Sequence, residues 1–247
     1  MDISSYVLLS HEQALRRRLD VVANNMANVS TAGFRREQPV FHEYVERGRE
    51  GMTEAARDVS FVLDYGAVHD TTPGAFQATG NPLDVMVDGP GYLAVEAPGG
   101  GTAYTRAGLL RVLESGELAT STGQRVLGEG GQSIAVPADQ ASQLRISDDG
   151  TLMGPQGPIG RLTVTVFENE ASVAPRGDGL LAGEGGRELA AAETRLRSGG
   201  IEASNVQPIV ETTAMIEILR SYQTSQRMAD GINDMRKRAI ERLGRVD

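Results

Sequence analysis

Two apolar stripes at helical spacing stand at opposite ends of this chain, and any fold it adopts must bury them. Near the start, Leu8 precedes Leu15, Leu19, Val22, Met26 and Val29, which recur in steps of four, three, four and three residues from Leu15 onward. Near the end, Ile218, Tyr222, Ser225, Ala229 and Ile232 repeat those steps, and Ala239 and Leu243 extend them through Arg236. Such spacing puts side chains on one face of an α-helix that can pack against another helix. Ala14, Ala23 and Ala27 allow close approach beside the first stripe, while Met215, Leu219 and Met235 widen the second. Ser30, Thr31 and Gly33 stop the first pattern, glycine being suited to a left-handed turn. From Val210 the second runs without proline or cysteine. Gly231 interrupts it at a cost of about 1 kcal/mol against alanine, and marks a candidate bend or close helix crossing. Two such helices invite pairing, within the chain or between chains.

Between them the texture changes. From about Ala78 to Arg197, "PLDVMVDGPGYLAVE" reads as two strands on either side of a turn at Asp88, Gly89, Pro90 and Gly91. "AYTRAGLLRVLESGELATSTGQRVLG" continues as short glycine-punctuated strands, and "QLRISDDGTLMG" reads as a hairpin around Asp148, Asp149 and Gly150. "GRLTVTVFEN" is the clearest strand by β-branched content. Many short strands without long intervening helices predict a mainly β central body. The chain thus divides into an N-terminal helix (1–34), an extended linker (35–79), a β-rich body (80–197) and a C-terminal turn and helix (198–247). The linker is expected to carry short strand pieces and to gain order on assembly.

Composition narrows the function. Aromatic content of 4% beside 30 glycines favours many turns and a thin aliphatic core. A formal charge of -9, with no long basic run, argues against nucleic acid as a partner. Without cysteine there is no disulfide, thiol nucleophile or Cys-based metal site. No window approaches 18 consecutive apolar residues, so no membrane span is expected. Asp2, Glu12 and the run Arg16, Arg17, Arg18 break what a cleavable secretion signal would need, and any export is expected to use another route.

Chemistry-bearing patterns are scarce. His11, His42 and His69 lack metal-ligand spacing, and neither a phosphate-binding glycine motif nor a nucleophile elbow occurs. Asp148 and Asp149 fit a turn without calcium, the triplet Arg176, Gly177, Asp178 is too short to carry an inference, and "GDGLLAGEGG" reads as an irregular connection. No catalytic residue, cofactor or metal is expected. A structural subunit that buries its terminal stripes against neighbouring copies needs none. The rival reading is a monomeric β-rich binding protein whose helices form an internal pair.

"LDVVANNMANVSTAGFRRE" (Leu19 to Glu37) resembles the N-terminal signature of bacterial flagellar rod and hook proteins. "GNPLDVMVDGPGYLAV" (Gly80 to Val95), "YTRAGLLRVLESGELATSTGQRVLG" (Tyr104 to Gly128) and "IEASNVQPIVETTAMIEILRSYQTSQRM" (Ile201 to Met228) resemble the same family, in the expected order. The length and the opening "SSYVLLSHEQALRRRLDVVANN" look most like the proximal-rod members, with distal-rod members the alternative. Arg35 and Arg36 stand where relatives often have lysine, and Met26 replaces an aliphatic residue. The resemblance implies an axial basal-body subunit, exported through the flagellar type III apparatus and assembled in the periplasm with copies of itself and other rod proteins. Its terminal helices would pair in a helical assembly with the β body outward, transmit torque and help form the export channel.

On that reading Leu15, Leu19, Val22, Met26 and Val29 face Ile218, Tyr222, Ala229 and Ile232 at the assembly interface. Apolar burial at roughly 25 cal/mol per Å² outweighs exposed ion pairs of about 0 to 1 kcal/mol. Asn24, Asn25 and Asn28 would set register across helices or cap the turn at Ser30 and Thr31. Asn205 and Pro208 would redirect the chain into the last helix, Asn81 and Pro82 would position the first strand of the body, and Gly33, Gly89 and Gly91 would make turns.

Overall fold

The computed structural model describes residues 3–47, 58–168, 173–176 and 179–244, so Gly177 and Asp178 of the Arg-Gly-Asp triplet lie outside the described residues. The chain forms two compact units, one of 1–27, 37–69 and 207–247, the other of 28–36 and 70–206.

The first unit holds both terminal helices and a strand pair. Helix α1 (Ile3–Ala27) contains neither glycine nor proline. It stops where Thr31 N–H bonds the Asn28 carbonyl (3.1 Å) and Gly33 takes φ +69°. Val29 therefore lies in the turn beyond the helix and not on its stripe. Strands β1 (Glu37–Arg47) and β2 (Asp58–His69) form an antiparallel ribbon, so the segment read as an extended linker contains two long strands where short pieces were expected. Side chains alternate along each strand, and Ser60, Val62 and Asp64 of β2 take the side that meets the helices. Helix α2 (Pro208–Leu243) opens on proline at its first turn, where the missing N–H has no helical partner to lose. It runs unbroken past Gly231, whose Cβ position meets nothing within 4 Å among the described residues of the chain.

Short antiparallel strands build the second unit. Its largest sheet runs in the order Ala174–Pro175, Leu181–Ala182, Thr102–Thr105, Tyr92–Glu96, Val164–Val166, Arg187–Glu188. The main core consists of valine, leucine, isoleucine and alanine side chains, including Val85, Leu93, Leu118, Leu152 and Leu162. A smaller cluster joins Tyr92, Phe167 and Val173, with Tyr104 edge-on to Phe167 at 4.9 Å between ring centroids.

Two local readings change. Val85–Val87 and Tyr92–Glu96 flank the predicted turn but do not pair with each other. The first pairs with Leu196–Ser198 and the second with Thr102–Thr105 and Val164–Val166. Val85 to Val87 and Tyr92 to Val95 are all buried, so both strands are covered on each face and have no exposed side to alternate. The strand expected across "GRLTVTVFEN" is also divided: Arg161 ends the preceding strand, and Val164–Val166 enters the large sheet. The hairpin at Asp148 to Gly150 forms, with Ile146 opposite Leu152 and Gly150 N–H bonded to Ser147.

Candidate functional site

The apolar stripes meet within one chain. Leu15, Val22 and Ile218 form a buried cluster, with Leu19, Ala214, Met215 and Tyr222 against it. The helices run antiparallel: Asn25 lies near Glu211, Ser225 Oγ is 3.3 Å from Glu12 Oε1, and Arg236 Nη2 donates to Ser5 Oγ at 2.9 Å. The seam expected between copies is thus occupied by the partner helix of the same chain. Met26, Ala229 and Ile232 are half-buried outside that cluster.

Asn25 has a different task from its neighbours. Its Oδ1 accepts from Glu37 N–H at 2.8 Å and its Nδ2 donates to the Glu37 carbonyl at 2.9 Å. One side-chain amide thereby makes both hydrogen bonds that a neighbouring strand would offer the first residue of β1. The same Nδ2 lies 3.4 Å from Oε2 of Glu211, a fully buried carboxylate on α2. Asn25 therefore fixes α1, β1 and α2 together inside the chain. Asn24 is exposed on α1, and Asn28 accepts from Thr31 Oγ1 at 3.1 Å in the turn.

Within the second unit, Asn205 ties three strands of chain. Its Oδ1 accepts from Arg36 N–H at 2.7 Å, and its Nδ2 donates to the carbonyls of Thr72 (2.9 Å) and Asp70 (3.3 Å). Gly33 sits against the Arg106–Ala107 peptide. A Cβ there would lie 2.3 Å from the Arg106 carbonyl carbon, and its own N–H donates to the Glu202 carbonyl at 2.8 Å. Glycine is required here twice, for conformation and for space. Gly91, at φ +114°, is similarly pressed, 2.7 Å from Val164 Cγ1, whereas Gly89, at φ +129°, faces open space.

Beside Gly33 lies an ion pair that sequence reasoning missed. Arg106 Nη1 is 3.0 Å from Glu202 Oε2, and each side chain is only 1% exposed. Arg106 also donates to the carbonyls of Val87 (3.2 Å) and Gly89 (2.6 Å), while Glu202 Oε1 accepts from Gly74 N–H at 2.9 Å. Burial pushes the Arg106 guanidinium below its ordinary range, opposed chiefly by the charge of Glu202. Arg35 Nη1 donates to Tyr92 Oη at 3.2 Å, and the Arg35 and Arg106 guanidinium carbons each lie 5.4 Å from the Tyr92 ring centroid. A signal existed in the sequence: Arg106 in "YTRAGLL" and Glu202 in "SGGIEAS" are single charges of opposite sign in strand-like stretches. Nothing in those stretches says that the two meet.

Among the described residues, no group of three His, Asp or Glu side chains is placed to hold a metal ion, and no helix is long and apolar enough to cross a membrane. The Asp149 carboxylate accepts from Thr151 N–H (3.0 Å) and Oγ1 (2.9 Å), a turn-closing arrangement.

These features define a class of protein: a β-rich unit of short strands, and a unit in which the chain's two ends pair as antiparallel helices beside a β-ribbon. Residues 6–35 match the flagella basal body rod protein model, 86–154 the flagellar hook protein FlgE/F/G D1 domain, and 197–242 the flagellar basal body rod FlgEFG protein C-terminal model. Relatives include the flagellar basal-body rod protein FlgF of Caulobacter vibrioides, 33% identical over 100% of both chains. FlgF of Salmonella typhimurium is 33% identical over 98% of this chain and 99% of its own, and FlgG of Bacillus subtilis 30% identical over 91% and 93%. The chain belongs to the bacterial flagellar basal-body rod protein family and is FlgF-like within it.

Proposed function

We propose that this chain is a structural axial subunit of the proximal rod of the bacterial flagellar basal body. It would reach the periplasm through the flagellar type III export apparatus, join copies of itself and other rod proteins, carry torque and help form the export channel, with no chemical step. Full-length similarity to FlgF relatives supports proximal placement. The FlgG relative keeps distal placement as the second reading.

The observation that carries an assembly role is the apolar surface left on α2 once α1 has covered one face. Ile209 is 83% exposed, and Ile216, Leu219, Met228, Met235, Ile240 and Leu243 are exposed along the rest of the helix. At 1.5 Å per residue, α2 extends about 54 Å against about 38 Å for α1, so the shorter helix cannot cover it. Contact between copies is assigned to these outer faces together with half-buried Met26, Ala229 and Ile232, while Leu15, Leu19, Val22, Ile218 and Tyr222 hold each pair together.

A density map of native basal bodies with this chain traced tests the placement; a rod with other chains at every axial position would refute it. The double variant Val22→Asp, Ile232→Asp should leave the β-rich unit folded and lower incorporation into rods. Incorporation at the wild-type level would count against both assignments, Val22 to the helix pair and Ile232 to the contact between copies.

A further inference from the structure

One segment of the second unit supplies strand partners that the rest of that unit lacks. Residues 194–206 lie against two earlier stretches, with Leu196–Ser198 antiparallel to Val85–Val87 and Gly200–Glu202 antiparallel to Phe76–Ala78. Among the described residues, neither of those earlier strands pairs with any other strand. Backbone bonds continue the seam: Asp88 N–H donates to the Arg195 carbonyl at 2.9 Å, Thr79 N–H to that of Gly199 at 3.0 Å, and Ala203 N–H to that of Ala75 at 2.9 Å. The Glu202 carbonyl accepts from Gly33 N–H, and Asn205 Oδ1 from Arg36 N–H. Gly200 lets the Phe76 ring lie on the segment, since a Cβ there would come within 2.5 Å of it, and the Arg197 guanidinium carbon lies 4.1 Å from the ring centroid.

Little apolar surface fastens this segment. The main core draws Leu93, Leu118, Val126, Leu152 and Leu162 from the body of the unit, but only Leu196 from 194–206. The core strands have partners of their own: Tyr92–Glu96 pairs with Thr102–Thr105 and Val164–Val166, Leu110–Val112 with Leu118–Thr120, and Thr151–Gly154 with Gly157–Arg161. The segment is held instead by hydrogen bonds and the Arg106–Glu202 pair, whose net contribution is small because opening returns each group to water. It must also close long loops, since 128 residues separate Gly74 from Glu202 and 169 separate Arg36 from Asn205. Loop closure costs entropy before such contacts can offset it, so distant pairings form late.

We infer that residues 194–206 form a strap that closes the second unit in a separate, final step over a core that folds without it, and that the closed unit reopens along the same seam. The stretches released together are 33–36, 70–88 and 194–206. Opening hydrates Arg106 and Glu202 together and exposes Leu196 with Val85 and Val87, while the core keeps its own strand pairs. Because a chain is made from its N-terminus, 33–36 and 70–88 wait for the strap throughout synthesis of the core. The strap follows from the seam alone and is independent of the rod-subunit reading.

Hydrogen exchange of the full chain in rising denaturant tests it. The amides of Gly33, Asp88, Leu196 and Gly199, each bonded to or from the strap, should share one opening and exchange at least about tenfold faster than those of Leu118, Val126 and Leu127, which are bonded within the core. Pulse labelling during refolding of the same chain should protect the core set first and the strap set later. Ile134→Val trims the core away from the seam. It should speed exchange of the core set about two- to tenfold and leave the strap set unchanged, because the core stays intact when the strap opens. A smaller difference between the two sets, scattered rates within the strap set, protection of both in a single refolding phase, or an equal response of both to Ile134→Val would overturn the strap.

Discussion

Replacing Glu202 by glutamine removes one charge from a site where two are buried together and keeps nearly the same shape. Glutamine Oε1 can still accept from Gly74 N–H, so the change isolates the loss of charge opposite Arg106. The guanidinium cannot relieve itself by releasing a proton near neutral pH, and the Val87 and Gly89 carbonyls do not neutralise it. Removing one partner of a buried pair costs about 3 to 5 kcal/mol, which for a unit of this size lowers the melting temperature by about 6 to 20 °C. Amide exchange reads the effect locally. Protection across Val85–Val95, which contains Val87 and Gly89, should fall by about two to three orders of magnitude, since about 1.4 kcal/mol corresponds to tenfold. Arg106→Met with Glu202→Gln should cost less than the sum of the single changes, because the second removes the charge that the first leaves alone. Loss of less than about 1 kcal/mol in Glu202→Gln, or strict additivity in the cycle, would refute the reading that each of these buried charges is compensated by the other.

Gly33→Ala should destabilise the second unit by about 2 to 5 kcal/mol, combining left-handed strain with overlap on the Arg106 peptide. Gly80→Ala, at φ +78° with nothing within 4 Å, should show the strain alone, and thermal melts of the two variants compare them. Asn25→Ala leaves the Glu37 N–H and carbonyl without their side-chain partner and should cost about 1 to 3 kcal/mol, seen as faster exchange of the Glu37 amide. The Asp149 carboxyl is held below its ordinary pKa, first by the Thr151 N–H and then by the Thr151 hydroxyl. A depressed carboxylate pKa contributes stability above the unfolded value, about 3.9, and that contribution disappears as pH falls through the folded value. Asp149→Asn should therefore be less stable than the natural chain at pH 7 and converge with it in strong acid; a difference that persists at both pH values would contradict this origin.

The open apolar surface of α2 gives a physical reason for one chain to serve both as a folded subunit and as part of a polymer. Its inner face is already used by α1 of the same chain. Its outer face leaves Ile209, Ile216, Met235 and Leu243 exposed, the surface that the proposed assembly would cover. Hydrophobic attraction scales with the area removed from water, so in the proposed rod many modest contacts repeated along the axis would add up.

Local physics made much of this legible in the sequence. Steps of three and four residues fixed α1 and α2, because a helix returns the same face to its partner at that interval. Glycine at 33, 89 and 91 announced left-handed turns, since other residues strain there. Four stretches in order carried the family. Tertiary structure decided what distance along the chain conceals. Val85–Val87 and Tyr92–Glu96 look like a hairpin but pair with remote strands, because strand pairing depends on which edges burial brings together. Arg106 and Glu202 stand far apart in sequence and become partners only because the fold excludes water from both, leaving each as the other's principal counter-charge. Asn25 looked like one of three similar amides, and only the arrival of Glu37 beside it distinguished the one that clasps a strand.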